Sequence, residues 1–135
     1  MALDFWRIAM RPGKPLMVGR LGGMRVMGFP GNPVSALVCG LVFLKPLVAA
    51  LLGTSAEPGP ASAILGAEMA ANDERQDFVR ARLDRSSGAP VVTPFPTQDS
   101  SMLATFVNAD ALIVRPAHAA AAAKGERVPV LLLDG

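Results

Sequence analysis

Three cations stand close together near the start of the chain: Arg7, Arg11 and Lys14. Arg7 and Arg11 are four residues apart on a predicted strand and its exit. Extended backbone puts residues at that spacing on one face. Lys14 follows in the turn Arg11-Pro12-Gly13-Lys14-Pro15. Further on, Pro30-Gly31-Asn32-Pro33 leads straight into an apolar run. A Gly/Pro loop entering a helix presents unpaired N–H groups and the positive end of the helix dipole, both of which favour an anion. Arginine adds a planar donor fork suited to phosphate and other oxyanions. The chemistry predicted is capture of a phosphorylated ligand or an oxyanion. Each half has a plainer counterpart: the cations as scattered surface charge, the loop as an ordinary strand-to-helix connection.

Other chemistry finds little support. His118 has no Ser or Cys partner and no neighbour at metal-ligand spacing, and reads as a solvated loop residue. Cys39, the single cysteine, excludes an internal disulfide and sits in an apolar run, as a small buried hydrophobe does. Asp73, Glu74 and Asp77 form an acidic cluster in a polar loop and read as solvated. Before Glu57 the only carboxylate is Asp4, so the first region looks like half of an acid–base site.

The elements that position these residues follow from pattern. Phe5–Met10, Leu16–Val18 and Met24–Phe29 are predicted strands, with Gly22-Gly23 as a tight turn. Asn32 is suited to cap a helix and Pro33 to occupy its first position, where no N–H is needed. Val34, Leu37, Val38, Leu41 and Val42 then recur at helical spacing. Pro46 is expected to kink or restart the helix, and Gly53 to stop it. After a turn-rich linker the texture changes to short strands from about Ala61. Asp77–Leu83 alternates, with Phe78, Arg80 and Arg82 on one face and Val79, Ala81 and Leu83 on the other. A hairpin turn over 84–90 leads to a partner strand, Val91–Phe95. A short helix over Ser101–Asn108 and strands at Ala111–Val114 and Arg127–Leu133 complete a predicted small β-barrel or sandwich. Periodicity does not decide whether Ala119–Ala123 is a helical turn or loop.

Composition bounds the partners. Thirteen Lys and Arg against eleven Asp and Glu leave +2, and no basic cluster is interleaved with aromatics, so a nucleic-acid partner is not expected. The apolar stretch Val34–Leu52 is long enough to span a membrane, but Lys45 and Pro46 near its middle favour a buried core helix.

Two motifs make the reading specific. Phe5-Trp6-Arg7-Ile8-Ala9-Met10-Arg11-Pro12-Gly13-Lys14-Pro15, followed by Gly28-Phe29-Pro30-Gly31-Asn32-Pro33-Val34-Ser35, resembles the molybdopterin molybdenumtransferases and their animal relative gephyrin. Asp77-Phe78-Val79-Arg80, Gln98-Asp99-Ser100, Asn108–Val114 and Gly125-Glu126-Arg127-Val128 resemble later segments of the same family. The resemblance implies the α/β portion of a molybdopterin-binding domain over 1–55, a linker over 56–60 and a small C-terminal β-barrel domain over 61–135. It implies insertion of molybdate into adenylylated molybdopterin, a small-molecule substrate, with Mg2+, in the cytoplasm. Catalytic roles are implied for Arg7, Arg11 and Lys14, and substrate contacts for Pro30, Gly31, Asn32, Pro33, Ser35, Arg80 and Ser100. No metal ligand is assigned. Arg at positions 7 and 11, where the family often has Lys, keeps the charge and alters the geometry. Asp99 replaces a family Gly beside Ser100. The family's earlier pterin- and metal-binding loops do not precede Phe5, so the chain is expected to be inactive alone and to need a homodimer partner or a complementing N-terminal fragment. A non-catalytic binding or scaffold module of gephyrin-like architecture is the alternative.

Overall fold

A computed structural model describes residues 2–54, 61–98 and 103–133. The expected linker over 56–60, and Asp99 and Ser100, lie outside the described residues. The first region opens with strand β1 (Ala2–Trp6), a two-residue strand β2 (Met10–Arg11), β3 (Met17–Leu21) and β4 (Met24–Gly28). β3 pairs antiparallel with both β1 and β4, giving a three-stranded sheet in the order β1-β3-β4. The expected continuous strand Phe5–Met10 is two pieces instead. Arg7 adopts a left-handed φ of 61°, which a β-branched or bulky strand residue rarely does, and the chain bends there.

Helix α1 (Pro33–Cys39) starts where Asn32 and Pro33 predict. Asn32 Oδ1 accepts from the N–H groups of Val34 (3.1 Å) and Ser35 (3.4 Å). The helix then widens into one π-helical turn over Gly40–Leu44 before α2 (Lys45–Leu51) resumes. Lys45 N–H reaches back to the Gly40 carbonyl, five residues away, immediately before Pro46. A π-turn is one way to accommodate a proline that cannot donate to the carbonyl four residues back. Gly53 ends the helix at φ 72°, with Thr54 N–H donating to the Ala49 carbonyl at 2.8 Å in the glycine-stop geometry.

The second region contains β5 (Ala61–Leu65), β6 (Gln76–Asp84), β7 (Val91–Pro94), a short helix α3 (Leu103–Val107), β8 (Ala111–Arg115) and β9 (Arg127–Leu132). Pairing runs β6-β7-β5-β9-β8, and β8 pairs back onto β6, closing a five-stranded barrel. The 84–90 turn joins antiparallel strands as its composition indicates, with Gly88 at φ 93°. Ala119–Ala123 is neither helix nor free loop, since Ala122 is buried and bridges to Met69. β5 escaped the sequence reading as a discrete strand.

β6 separates two cores. Val79 and Ala81 point into the barrel with Ala63, Leu65, Val92, Ala111, Ile113, Val128 and Val130. Phe78 points the other way, and with Leu112 of β8 it packs on Met10, Leu16, Val34, Val38 and Cys39 of the first region. The alternation predicted for Asp77–Leu83 therefore separates a barrel face from a face that carries the first region. β2 adds to β6 in parallel, Met10 opposite Gln76 and Arg11 opposite Asp77, so this segment of the first region is part of the barrel's sheet.

The apolar helix is a core element on one side only. Val34, Val38 and Cys39 are buried, while Leu37, Leu44 and Val48 are exposed, so the expected buried core helix is buried along one side. The whole of Pro33–Leu51 is long and apolar enough to cross a membrane by length and composition.

Candidate anion-binding site

The basic turn and the helix start are fixed to one another by a single core. The turn after β2 returns beside the strand exit: Arg7 N–H donates to the Leu16 carbonyl (3.2 Å), Ile8 N–H to Lys14 (2.9 Å) and Leu16 N–H to Gly13 (3.0 Å). Arg7 and Lys14 are thereby brought onto neighbouring stretches of backbone. Gly13, at φ 117°, lies against α1. A Cβ added there would stand 2.7 Å from Cys39 Sγ and 2.9 Å from Met10 Cε. Only glycine meets both the backbone angle and the close approach. Burial raises the Cys39 thiol to about 11, so it stays protonated and acts as packing.

At the helix start Pro30, Val34 and Ser35 are buried, whereas Gly31 and Pro33 are exposed and a Cβ on Gly31 would meet open space. The Pro30–Pro33 loop is therefore not covered by the barrel. The Asn32 side chain itself occupies the N–H groups of Val34 and Ser35. An anion at this end would use the loop's own N–H groups or displace that cap.

The cations differ from one another. Lys14 is exposed in the turn. Arg7 is exposed and lies over its neighbour's ring, with its guanidinium carbon 4.4 Å from the Trp6 centroid. Arg11 is held by the barrel. Its Nη1 donates to Asp73 (3.1 Å), and its Nη2 to Asp77 (3.1 Å) and to Asn72 Oδ1 (3.1 Å). Burial alone would lower the Arg11 pKa, but the hydrogen bond and charge of Asp77, then those of Asp73, outweigh it and raise it. The shared face argued from strand spacing does not apply, because the left-handed bend at Arg7 separates the two arginines into different strands.

Within the acidic cluster Glu74 is exposed, whereas Asp73 and Asp77 are half-buried and paired with Arg11. Asp73 accepts from Arg75 N–H at 2.9 Å; that backbone bond, opposed by burial and assisted by the charges of Arg11 and Arg75, holds its carboxyl below the ordinary range. Asn72 ties the same corner together, its Nδ2 donating to the carbonyls of Arg75 (2.7 Å), Arg115 (3.1 Å) and Pro116 (2.9 Å). Asn72, Asp73 and Asp77 were missed as site-forming residues. The available signal was three acceptors within six positions of a strand start, in a chain whose first cations lack carboxylates of their own.

Arg80 is buried, 2% exposed, on the β6 face that bears Phe78. Its Nη1 donates to the Phe78 carbonyl (2.8 Å) and its Nη2 to the Gln98 carbonyl. Gln98 answers with its side chain, Oε1 accepting from Arg80 N–H (2.8 Å) and Nε2 donating to the carbonyls of Arg80 (2.9 Å) and Phe95 (3.0 Å). Desolvation lowers the Arg80 pKa, the charge of Asp77 opposing and that of Arg11 adding to the effect. Between the two regions lies a mainly apolar cleft of about 410 Å³, lined by Phe5, Ile8, Met10, Phe43, Gln76 and Phe78 among others.

Known proteins resemble this architecture over nearly its whole length. The family model for the MoeA C-terminal region (domain IV) matches residues 62–133. A molybdopterin molybdenumtransferase 2 of Mycobacterium tuberculosis is 33% identical over 129 residues, 95% of this chain and 31% of that protein. A molybdopterin molybdenumtransferase of Haemophilus influenzae is 34% identical over 131 residues, 95% of this chain and 32% of that protein. Among solved structures, a molybdopterin biosynthesis MoeA protein from Pyrococcus horikosii superposes with a TM-score of 0.81 at 28% identity, covering 98% of this chain and 32% of that one. The chain thus spans about a third of the length of these relatives. By the family match over its barrel and by these relatives, this chain belongs to the molybdopterin molybdenumtransferase (MoeA) family, as its C-terminal part.

Proposed function

We propose that the chain forms the C-terminal part of an active site that inserts molybdate into adenylylated molybdopterin, in the cytoplasm. One observation supports the reading above the others: the Arg11–Lys14 turn and the open Pro30–Pro33 loop are fixed together through Gly13 and Cys39, so cations and helix start share one rigid frame. In that frame Lys14 and Arg7 would offer charge to a phosphate or molybdate oxygen. The loop would offer backbone N–H groups, with Asn32 and Ser35 at its helix side. Pro30 and Pro33 set its shape. Catalysis would be electrostatic, through fixed donors aimed at oxygens that gain charge when the phosphoanhydride breaks. Arg80 and Ser100 would support the barrel side of the cleft. Magnesium belongs to the family reading, but among the described residues no group of three or more His, Cys, Asp or Glu is placed to hold a metal ion. These residues do not fit the ion, and no step is routed through it.

The site is incomplete in this chain and is to be completed by a homodimer partner or a complementing N-terminal fragment. The α/β character of the pterin-binding domain would come from that remaining portion. The test is cofactor formation from adenylylated molybdopterin and molybdate, using the purified chain with and without the first two-thirds of a relative. Turnover only in the mixture is the expected result, and robust turnover by the chain alone would overturn the division of the site. A non-catalytic binding or scaffold role is favoured by a different observation: Arg11, a would-be catalytic cation, is already engaged by three barrel acceptors. That reading predicts no turnover in either arm.

A further inference from the structure

Arg11 ties the basic turn of the candidate anion site to the barrel through its side chain. It belongs to the basic turn by sequence, yet both of its terminal guanidinium nitrogens donate to the barrel's Asn72, Asp73 and Asp77. The arrangement is half open to water: the side chains of Arg11 and Asp73 are 38% and 39% exposed, and that of Asp77 is 20% exposed. An exposed ion pair is weak and its partners can be exchanged. Beside it the β2–β6 contact is only two residues long, with Gln76 N–H donating to the Ala9 carbonyl at 2.9 Å. The apolar cleft lined by Met10, Gln76 and Phe78 adjoins the same contact.

We propose that Arg11 is an exchangeable clasp, in which an anionic ligand of the basic turn and the barrel's Asp73 and Asp77 compete for one guanidinium. Anion binding and docking of the Met10–Arg11 strand on β6 are then negatively coupled. The inference rests on the anion-site reading above. Arginine suits the role because its fork meets two carboxylates and an amide at once, and the same fork matches a phosphate. Linkage is reciprocal, so whatever the anion does to the clasp, the clasp does to the anion.

The experiment uses the whole chain and inorganic pyrophosphate as probe. Calorimetry measures pyrophosphate affinity, and amide hydrogen exchange reads the protection of Gln76, whose N–H donates to the Ala9 carbonyl at the β2–β6 contact. The variants are Asp73→Asn/Asp77→Asn, Arg11→Ala, and Glu74→Gln as a control for general charge, since Glu74 is exposed in the same turn. The double variant is expected to bind pyrophosphate about three- to tenfold more tightly than wild type, with Glu74→Gln changing affinity far less. Pyrophosphate should speed exchange at Gln76 in wild type and leave it unchanged in the double variant. Arg11→Ala should weaken pyrophosphate binding. If Arg11→Ala weakens binding while the double variant binds no better, or while pyrophosphate leaves exchange unchanged in wild type, the competition is refuted and the anion site stands. If Arg11→Ala binds pyrophosphate as wild type does, the clasp falls and the anion site rests on Arg7 and Lys14; if wild type binds no pyrophosphate, both fall. Loss of the barrel's own protection in the double variant would show that the carboxylates hold the fold together, and would likewise refute an exchangeable clasp.

Discussion

The barrel and the first region solve the same burial problem in opposite ways. The barrel closes its sheet on itself and places Ala63, Ala81, Val92, Ala111 and Ile113 at 0% exposure. The first region has a three-stranded sheet and one bent helix, and its core is shared: Phe78 and Leu112 of the barrel complete the cluster of Leu16, Val34, Val38 and Cys39. Its other face leaves Phe29, Leu37, Leu44 and Val48 exposed. Single exposed apolar residues are ordinary, but a row along one helix means that folding of this chain alone has not covered it. The barrel encloses one core of its own, and the first region's core is shared with it.

The largest effect that would separate the two regions comes from their cores. Ile113→Ala empties the barrel and should cost about 2–5 kcal/mol. The loss should appear both in barrel amide protection and in the fluorescence of Trp6, the single tryptophan, because the first region cannot stay docked on an unfolded barrel. Leu16→Ala should lower only the Trp6 transition in urea and leave the barrel amides protected. Coincident loss in both variants would make the molecule one cooperative unit and dissolve the distinction.

Glycine contacts give the next size of effect. A Cβ at Gly66 would meet Thr93 Oγ1 at 2.4 Å and Val91 Cγ1 at 3.0 Å inside the barrel. Gly66→Ala should destabilise the barrel by about 1–3 kcal/mol. Gly13→Ala combines a φ of 117° with the Cys39 contact and should cost a similar amount in the first region alone. Thermal melts followed at Trp6 and at barrel amides distinguish them.

Asn32→Ala removes the acceptor for two first-turn N–H groups and should cost about 0.5–2 kcal/mol of first-region stability. Asn32→Asp should restore most of it. Equal stability of the alanine variant would mean that packing of Val34, not the cap, starts the helix.

Acid should have the smallest and most local effect. Asp73 is held below its ordinary range by the Arg75 N–H first and by Arg11 and Arg75 after it. A carboxylate depressed in the folded state contributes stability above its unfolded pKa, near 4, and loses that contribution as pH falls through the folded value. Exchange at the β2–β6 contact should therefore accelerate below about pH 4 while the barrel interior remains protected. A contact indifferent to pH from 7 to 3 would remove Asp73 from it.

Legibility in the sequence followed how local each cause was. Asn32, Pro33 and Gly53 act on their own backbone neighbours, and the helix begins and ends where they stand. Alternation over Asp77–Leu83 revealed both faces of β6, because Val79 and Ala81 fill the barrel while Phe78 on the opposite face packs on the first region. Long-range pairing was not legible. Nothing within Phe5–Met10 announces that Arg7 turns left-handed to let Met10 and Arg11 join a strand more than sixty positions away. The acidic loop looked solvated for the same reason, since its partner Arg11 is equally distant. The two regions were distinguishable by texture, and the residues that fasten them were not.

The margin of β6 has one more consequence. β7 covers this strand only from Ala81 to Asp84, which leaves its first half as an open edge of the kind that templates pairing between molecules. Here the edge is capped residue by residue. Met10 and Arg11 lie along Gln76 and Asp77, the Arg80 guanidinium takes the Phe78 carbonyl, and the Gln98 amide and Phe95 N–H take the backbone of Arg80. Arg80 and Gln98 thus keep neighbouring chains from stitching themselves into a continuous sheet. Trimming the chain before Pro12, however mild its effect on the barrel's interior, would hand the molecule a sticky seam.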